Sequence, residues 1–190
     1  MRKLISFMHV SLDGFVADAN GDLRWVKLDD ELFDFVATMT ANSDMALYGR
    51  KTFEMMEGYW HTAGDKPTAT KHDKEHSRWY KAVNKAVLSR TMKTADASTV
   101  IISNNVPERL KQLKLSSDKD LLMFGSPSAT HSLMWDDLID GYRLFVNPIL
   151  LGSGTPMFKG LQSQHSLKLI STKAFSSGVV MMHFEREREN

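Results

Sequence analysis

No cysteine occurs among the 190 residues. That excludes disulfides, thiolate metal sites and cysteine nucleophiles together, and it agrees with a reducing compartment. Charge of one sign is also lacking. The net charge is +1, with acidic and basic residues interspersed, so no field favours nucleic acid or an anionic membrane. No stretch approaches the ~20 apolar residues of a membrane helix, and residues 1–10 are too short and mixed for a signal peptide. The expectation is a cytoplasmic protein with neither nucleic acid nor membrane as partner. No repeat, low-complexity tract or linker breaks the chain, so residues 1–190 read as one domain. A hydrophobic fraction of 42% is enough for such a chain to bury a core unaided.

What is present is an alternation of strand and helix patterns. Residues 4–12 are apolar and end at Asp13-Gly14, a strand entering a turn; Asn20-Gly21 is a second turn signal. Asp29 and Asp30 open an amphipathic helix in which Leu32, Phe35, Val36 and Met39 share one face. Residues 45–48 form a short strand before Gly49-Arg50-Lys51-Thr52 and a helix over 53–57. The polar residues 61–77, with Gly64 and Pro67, are the longest expected loop. A helix over 75–83 precedes strands over 86–89 and 99–103. Pro107, at the first helical position, opens the next helix, with Leu110 and Leu113 on one face. A strand over 121–124 passes through Gly125-Ser126-Pro127 into a helix reaching about residue 138. From Tyr142 the pattern changes to a strand over 142–151, interrupted at Pro148, and a hairpin over 167–175 and 179–186, with a charged tail over 185–190 that is expected to fray. This order predicts a mainly parallel sheet with antiparallel strands at one edge.

Two strand-to-helix junctions carry the candidate chemistry. At the first, Gly49 permits close approach of a backbone, and Arg50 and Lys51 set two cations beside a helix N-terminus, whose free N–H groups and dipole suit phosphate. The alternative is that Thr52 merely caps the helix. At the second, Ser126 is a good N-cap and Pro127 suits the position after it; simple capping is again the alternative. As a pair, at the carboxyl ends of strands, they favour a dinucleotide, which has two phosphates to hold. Gly152-Ser153-Gly154-Thr155-Pro156 lacks the third glycine and following helix of a dinucleotide fingerprint and reads as a tight turn. His72, Glu75 and His76 match H-x-x-E-H, but in a Lys-rich polar stretch they read as a surface helix start, and no metal is expected. Zinc deaminase chemistry is excluded by the missing cysteines. Trp25, Tyr59 and Trp60 either wall a pocket for a flat ring or pack as ordinary aromatics.

Several segments together resemble a known family. They are Ser11-Leu12-Asp13-Gly14-Phe15-Val16-Ala17, Tyr48-Gly49-Arg50-Lys51-Thr52-Phe53, Tyr59-Trp60, Lys85-Ala86-Val87-Leu88-Ser89-Arg90-Thr91, Phe124-Gly125-Ser126, Asp137-Leu138-Ile139-Asp140, the stretch 148–158, and Phe175-Ser176-Ser177-Gly178-Val179-Val180. In this order, across nearly the whole chain, they are similar to the dihydrofolate-reductase family. They are closer still to the C-terminal reductase domain of the bifunctional riboflavin-biosynthesis deaminase-reductase. The resemblance implies an α/β three-layer fold, with a central mostly parallel sheet, an antiparallel C-terminal edge and flanking helices, and NADPH lying across it. Gly49, Arg50 and Thr52 would meet the pyrophosphate and nicotinamide side. Lys51, Ser89, Arg90 and Thr91 would hold the ribose 2′-phosphate. Gly125, Ser126, Pro127 and Ser128 would form the second phosphate loop. Val16 and Ala17 would lie near the nicotinamide, and Asp13, Trp25 and Trp60 would line the substrate side. A homodimer through the C-terminal strands is implied by the same likeness.

The chain departs from the family pattern in three places. Gly125-Ser126-Pro127 replaces consecutive glycines. Gly141 follows Asp140 where the riboflavin-type motif has Glu. The folate-binding acid maps only onto Asp29, Asp30 or Asp34, with altered spacing to Gly49, so no proton donor is assigned. The expected function is an NADPH-dependent reductase acting on a small heterocyclic substrate: a pyrimidine of riboflavin biosynthesis, as for a 5-amino-6-(5-phosphoribosylamino)uracil reductase, a pterin, or a related ring. The alternative is a non-catalytic nucleotide-binding or partner-binding module on the same fold.

Overall fold

The computed structural model describes residues 2–161 and 163–188. Strand β1 (Leu4–Ser11) is followed by the short β2 (Phe15–Ala17) and helix α1 (Asp30–Ala41). Then come β3 (Ser43–Gly49), α2 (Arg50–Ala63), α3 (Lys71–Ala82), β4 (Asn84–Leu88) and β5 (Thr99–Ile102). Next are α4 (Val106–Leu115), β6 (Asp120–Phe124), α5 (Pro127–Trp135), β7 (Gly141–Asn147), β8 (Thr155–Pro156), β9 (Leu167–Ala174) and β10 (Val180–Arg186).

Eight strands form one sheet in the order β5-β4-β3-β6-β1-β7-β10-β9. The first six run parallel, while β10 is antiparallel to both β7 and β9. The expected mostly parallel sheet with an antiparallel C-terminal edge is therefore present. Strand alternation gives each face its own core. Ile5, Phe7, Tyr48, Leu122, Phe124 and Phe145 face one way, toward α1, α2 and α3. Leu4, Met8, Val10, Leu47, Met123 and Leu144 face the other, toward α4 and α5. Leu4, Ile5, Leu47, Leu121 and Leu122 are fully buried, each contributing about 1.5–3 kcal/mol of transfer free energy.

Strand lengths at the carboxyl edge position the site. β6 pairs with β1 only through Phe7↔Phe124, with a final bond from Gly125 N–H to the Phe7 carbonyl at 3.4 Å. β1 runs on beside β7 to Ser11↔Asn147. The sheet thus has a notch at that edge, beyond the end of β6.

Four expected boundaries are corrected. The loop over 61–77 shrinks to residues 64–70, because α2 continues to Ala63 and α3 begins at Lys71. A capping box starts α3: the Thr70 hydroxyl accepts from Asp73 N–H while the Asp73 carboxylate accepts from Thr70 N–H. Its inward side is made by buried Ser77 and Tyr80 and half-buried His76 and Trp79, which aliphatic periodicity does not reveal. Pro107 is the second residue of α4, not the first. β7 stops at Asn147, before Pro148, which has no N–H to give a ladder. The tail is held rather than frayed: Arg186 Nε lies 3.1 Å from Asp137 and Arg188 Nη1 lies 2.7 Å from Asp140. Residues 189–190 lie outside the described residues.

Candidate functional site

Helices α2 and α5 start side by side at the carboxyl edge, from the adjacent strands β3 and β6. The N-caps, Gly49 and Ser126, make no side-chain capping bond. The first-turn N–H groups of Arg50, Lys51 and Thr52, and of Ser128 and Ala129, are therefore left for a ligand or solvent. Thr52 lies at the third helical position and is not the cap. Ser126 is the cap by position, but its φ of 58° is left-handed, a backbone geometry that favours glycine. A non-glycine residue there costs about 1–2 kcal/mol.

The junctions interlock. A Cβ on Gly49 would lie far inside van der Waals contact with Ser126 Oγ and 2.6 Å from Ser126 Cβ. One on Gly125, which has φ +56°, would lie 3.2 Å from Thr52 Cγ2. Gly49 is thus needed for the approach of the second loop itself.

A cleft of about 940 Å³ opens over the two helix ends. Gly49, Arg50, Lys51 and Thr52 line it from the first junction; Ser126, Pro127 and Ser128 line it from the second; Ser89, Arg90 and Thr91 close it beyond β4. The Ser89 hydroxyl accepts from the N–H groups of Thr91 and Met92, at 3.2 and 2.9 Å, and so shapes that turn. Four cationic side chains, Arg50, Lys51, Arg90 and Lys159, border the cleft against one carboxylate, Asp136. Arg50 is engaged by Glu54 at 2.8 Å, one helical turn on. Among the described residues, Lys51 and Arg90 have no carboxylate partner. Two uncapped helix ends and this cationic border suit an elongated ligand with several phosphates.

Some of the cleft was not foreseen. Ile102 and Ser103 enter from the end of β5, and the strand-end rule could have found them. Trp135 and Lys159 had no local signal. His131 Nε2 lies 3.1 Å from the carbonyls of both Pro156 and Met157, tying α5 to the strip after the glycine-rich turn.

Other expected residues lie elsewhere. Val16 and Ala17 are on β2, paired with β8, and do not line the cleft. Gly154 presses against the Ala17 carbonyl, where a Cβ has no room, so the glycine-rich stretch serves chain packing. Gly125 underlies the cleft without lining it. The Asp13 carboxylate accepts from Ser11 Oγ at 2.6 Å and from the N–H groups of Leu151 and Gly152, and these bonds lower its pKa. It therefore pins one loop to another. Trp25 donates to the Asp22 carbonyl at 3.0 Å. Trp60 sits on α2 against the core, between Tyr59 and His76, with ring centroids 4.8 and 4.2 Å away.

All three candidate acids are tied up. Asp29 caps α1 through Leu32 N–H and accepts from Ser176 Oγ and Ser177 N–H; hydrogen bonds from Ser177 and then Leu32 hold its pKa down. Asp30 is exposed beside His72, at 3.1 Å, and Asp34 lies 3.1 Å from Lys71. The H-x-x-E-H residues do not converge: His72 and Glu75 face Asp34 across α1 and α3, while His76 is wedged between Trp60 and Trp79. Gly141 starts β7 opposite Ile5, at the far edge of the sheet from the cleft. A Cβ there would lie 2.8 Å from the Phe184 carbonyl.

Comparison with known proteins gives the family and agrees with the fold. A family model described as the RibD C-terminal domain matches residues 2–181. The uncharacterized protein YyaP of Bacillus subtilis (strain 168) is 32% identical over 183 residues, 95% of this chain and 93% of its own. The Thermotoga maritima diaminohydroxyphosphoribosylaminopyrimidine deaminase/5-amino-6-(5-phosphoribosylamino)uracil reductase superposes with a TM-score of 0.68 at 14% identity, covering 97% of this chain and 56% of that one. Enterococcus faecalis dihydrofolate reductase, solved with NADP(H), superposes with a TM-score of 0.63 at 15% identity over 98% and 97% of the two chains.

Proposed function

Because the chain belongs to the RibD C-terminal domain family, we propose that it is an NADPH-dependent reductase of a small heterocyclic compound, a pyrimidine, pterin or related ring. The observation that carries this reading is the pair of uncapped helix ends sharing one cation-bordered cleft. In this reading the N–H groups at the start of α2 and α5 hold the pyrophosphate, as the positive ends of two helix dipoles do for anions. Lys51 and Arg90, aided by the hydroxyls of Ser89 and Thr91, hold the ribose 2′-phosphate. Bound NADPH supplies the hydride, and the protein's own share is to bind, orient and exclude water. Asp29, Asp30 and Asp34 are spent on structural contacts, so none of them is assigned as acid. That same fact favours the second reading, a module that binds the nucleotide without turnover.

The experiment is a thermal titration followed by an activity assay. NADPH at a hundred times its dissociation constant should add about 2.7 kcal/mol of stability, and zinc should add none. NADPH oxidation with 5-amino-6-(5-phosphoribosylamino)uracil or dihydrofolate supports the reductase. Binding without turnover on any such ring supports the module. No NADPH-induced shift overturns both.

A further inference from the structure

The notch at the carboxyl edge contains a side chain that the cofactor cleft leaves unused. His9 lies two residues beyond Phe7, where β6 has already ended, about 6.6 Å further along β1 at the usual strand rise. Alternation puts its ring on the α1 face, against Phe7 and Phe145, with centroids 5.8 and 5.1 Å away. On the β7 side it is opposite Phe145; on the β6 side no strand covers it. Gly125, whose N–H makes the last bond across that seam, leads directly into the N-cap of α5. His9 thus stands where the phosphate-binding end of the cleft meets the end of β1.

The imidazole is prepared as a neutral donor. Asn147 Oδ1 accepts from Lys27 N–H at 2.8 Å, which fixes which end of the amide is oxygen. Its Nδ2 donates to the Phe145 carbonyl at 3.0 Å and shares its second hydrogen between the Val10 carbonyl and His9 Nδ1, both at 3.4 Å. An amide nitrogen can only donate, so Nδ1 is the acceptor and the ring proton resides on Nε2. Burial lowers the His9 pKa to about 4, so the ring is uncharged at neutral pH. His9 is only partly buried, and among the described residues Nε2 has no partner. The ring is thus packed on Phe7 and Phe145, and its one N–H donor is not sealed in the core.

We propose that His9 orients the substrate ring, its Nε2–H donating to the carbonyl oxygen of a planar lactam of the pyrimidinone or pterinone type bound in the notch. This rests on the reductase reading and deepens it, because it names the feature of the ring that is recognised. A neutral donor suits a carbonyl and rejects a ring that presents an amino group at the same place, since two donors would then face each other. Phe7 and Phe145 are themselves buried; they hold the imidazole in place from the core side and leave its edge to meet the ligand.

The test compares 6,7-dimethylpterin, a lactam, with 2,4-diamino-6,7-dimethylpteridine, in which an amino group replaces the carbonyl. Binding to the NADP⁺-saturated protein is followed by pteridine fluorescence at pH 7.5. The wild-type protein should prefer the lactam. His9→Phe keeps the aromatic packing but removes the donor, and should lower lactam affinity roughly three- to tenfold and abolish the preference. His9→Gln restores an N–H donor and should recover much of it, which a purely structural role does not predict. In the wild-type protein, the ¹⁵N resonance of His9 Nε2 should shift on adding the lactam. Equal binding of the two rings to wild type, an undiminished preference in His9→Phe, or no binding of either ring overturns the proposal. NADPH-induced stabilisation of His9→Phe reads the cofactor site separately: if it persists, only the His9 assignment has failed.

Discussion

Arg50 and Arg90 both border the cleft, and their surroundings separate them. Arg50 is paired with Glu54 at 2.8 Å, and a partly exposed pair of this kind is worth little, about 0.3–0.5 kcal/mol on a helix. Arg90 is exposed, without a carboxylate partner among the described residues. If Arg90 reads the 2′-phosphate, Arg90→Ala should weaken NADPH about five- to a hundredfold while leaving NADH nearly unchanged. Parallel titrations of the two nucleotides decide this, and equal losses would remove Arg90 from that role. Raised salt should erode NADPH affinity faster than NADH affinity, because the extra charge lies in solvent reach. Gly49→Ala is a different kind of lesion. The new methyl would overlap Ser126 and push α5 away from α2. Overpacking at such a contact costs about 1–3 kcal/mol, and affinity for both nucleotides should fall together. Chemical denaturation with both titrations tests it.

Among the elements, α1 and α3 show how little of a helix's role its own residues announce. Asp29 was legible as a helix start. Only the folded chain shows it also gripping the turn at Ser176 and Ser177 in the C-terminal hairpin. Asp29→Ala therefore loses an N-cap, worth about 0.5–2 kcal/mol, and an anchor between distant segments. Its cost should exceed that of Thr70→Ala, which dismantles only the local capping box of α3. Urea unfolding of the two variants checks the order, and a larger loss from Thr70→Ala would contradict it. Local periodicity foreshortens α3 because its inward side consists of His76, Ser77, Trp79 and Tyr80, residues that count as polar or ambiguous in a hydrophobicity pattern.

On the scale of the whole molecule, two histidines link stability to pH. Burial lowers the pKa of His9 and of His76 to about 4, below the unfolded value near 6.5. Between these values the unfolded chain binds protons that the native state refuses. The histidine contribution to stability is therefore complete above pH ~6.5 and is lost as pH falls toward 4, with a cost on the order of 2–4 kcal/mol for each group. The midpoint of urea unfolding should drop over that interval. His76→Phe, which fills the space between Trp60 and Trp79, should flatten the decline. An unchanged slope would show that His76 is not buried neutral. No helix among the described residues is long and apolar enough to cross a membrane.

The sequence by itself determined the alternation of strand and helix, the two strand-to-helix junctions and the antiparallel end. Those features are local: hydrophobic period, turn residues and helix-start residues act within a few positions of one another. It also carried the cleft segments around Gly49 and Ser126, because each follows a strand, while the segment around Ser89 came from the family resemblance alone. Tertiary structure alone decided that β6 lies between β3 and β1, and so that the two junctions are neighbours. It alone turned Asp29, Asp30 and Asp34, the candidate acids, into a cap and surface ion pairs, and Asp13, expected on the substrate side, into a loop pin. And it alone left His9 in a notch, through the difference in length between β6 and β1. Strand order, register and the partners of a carboxylate depend on contacts between residues far apart in the chain, and no local pattern encodes those.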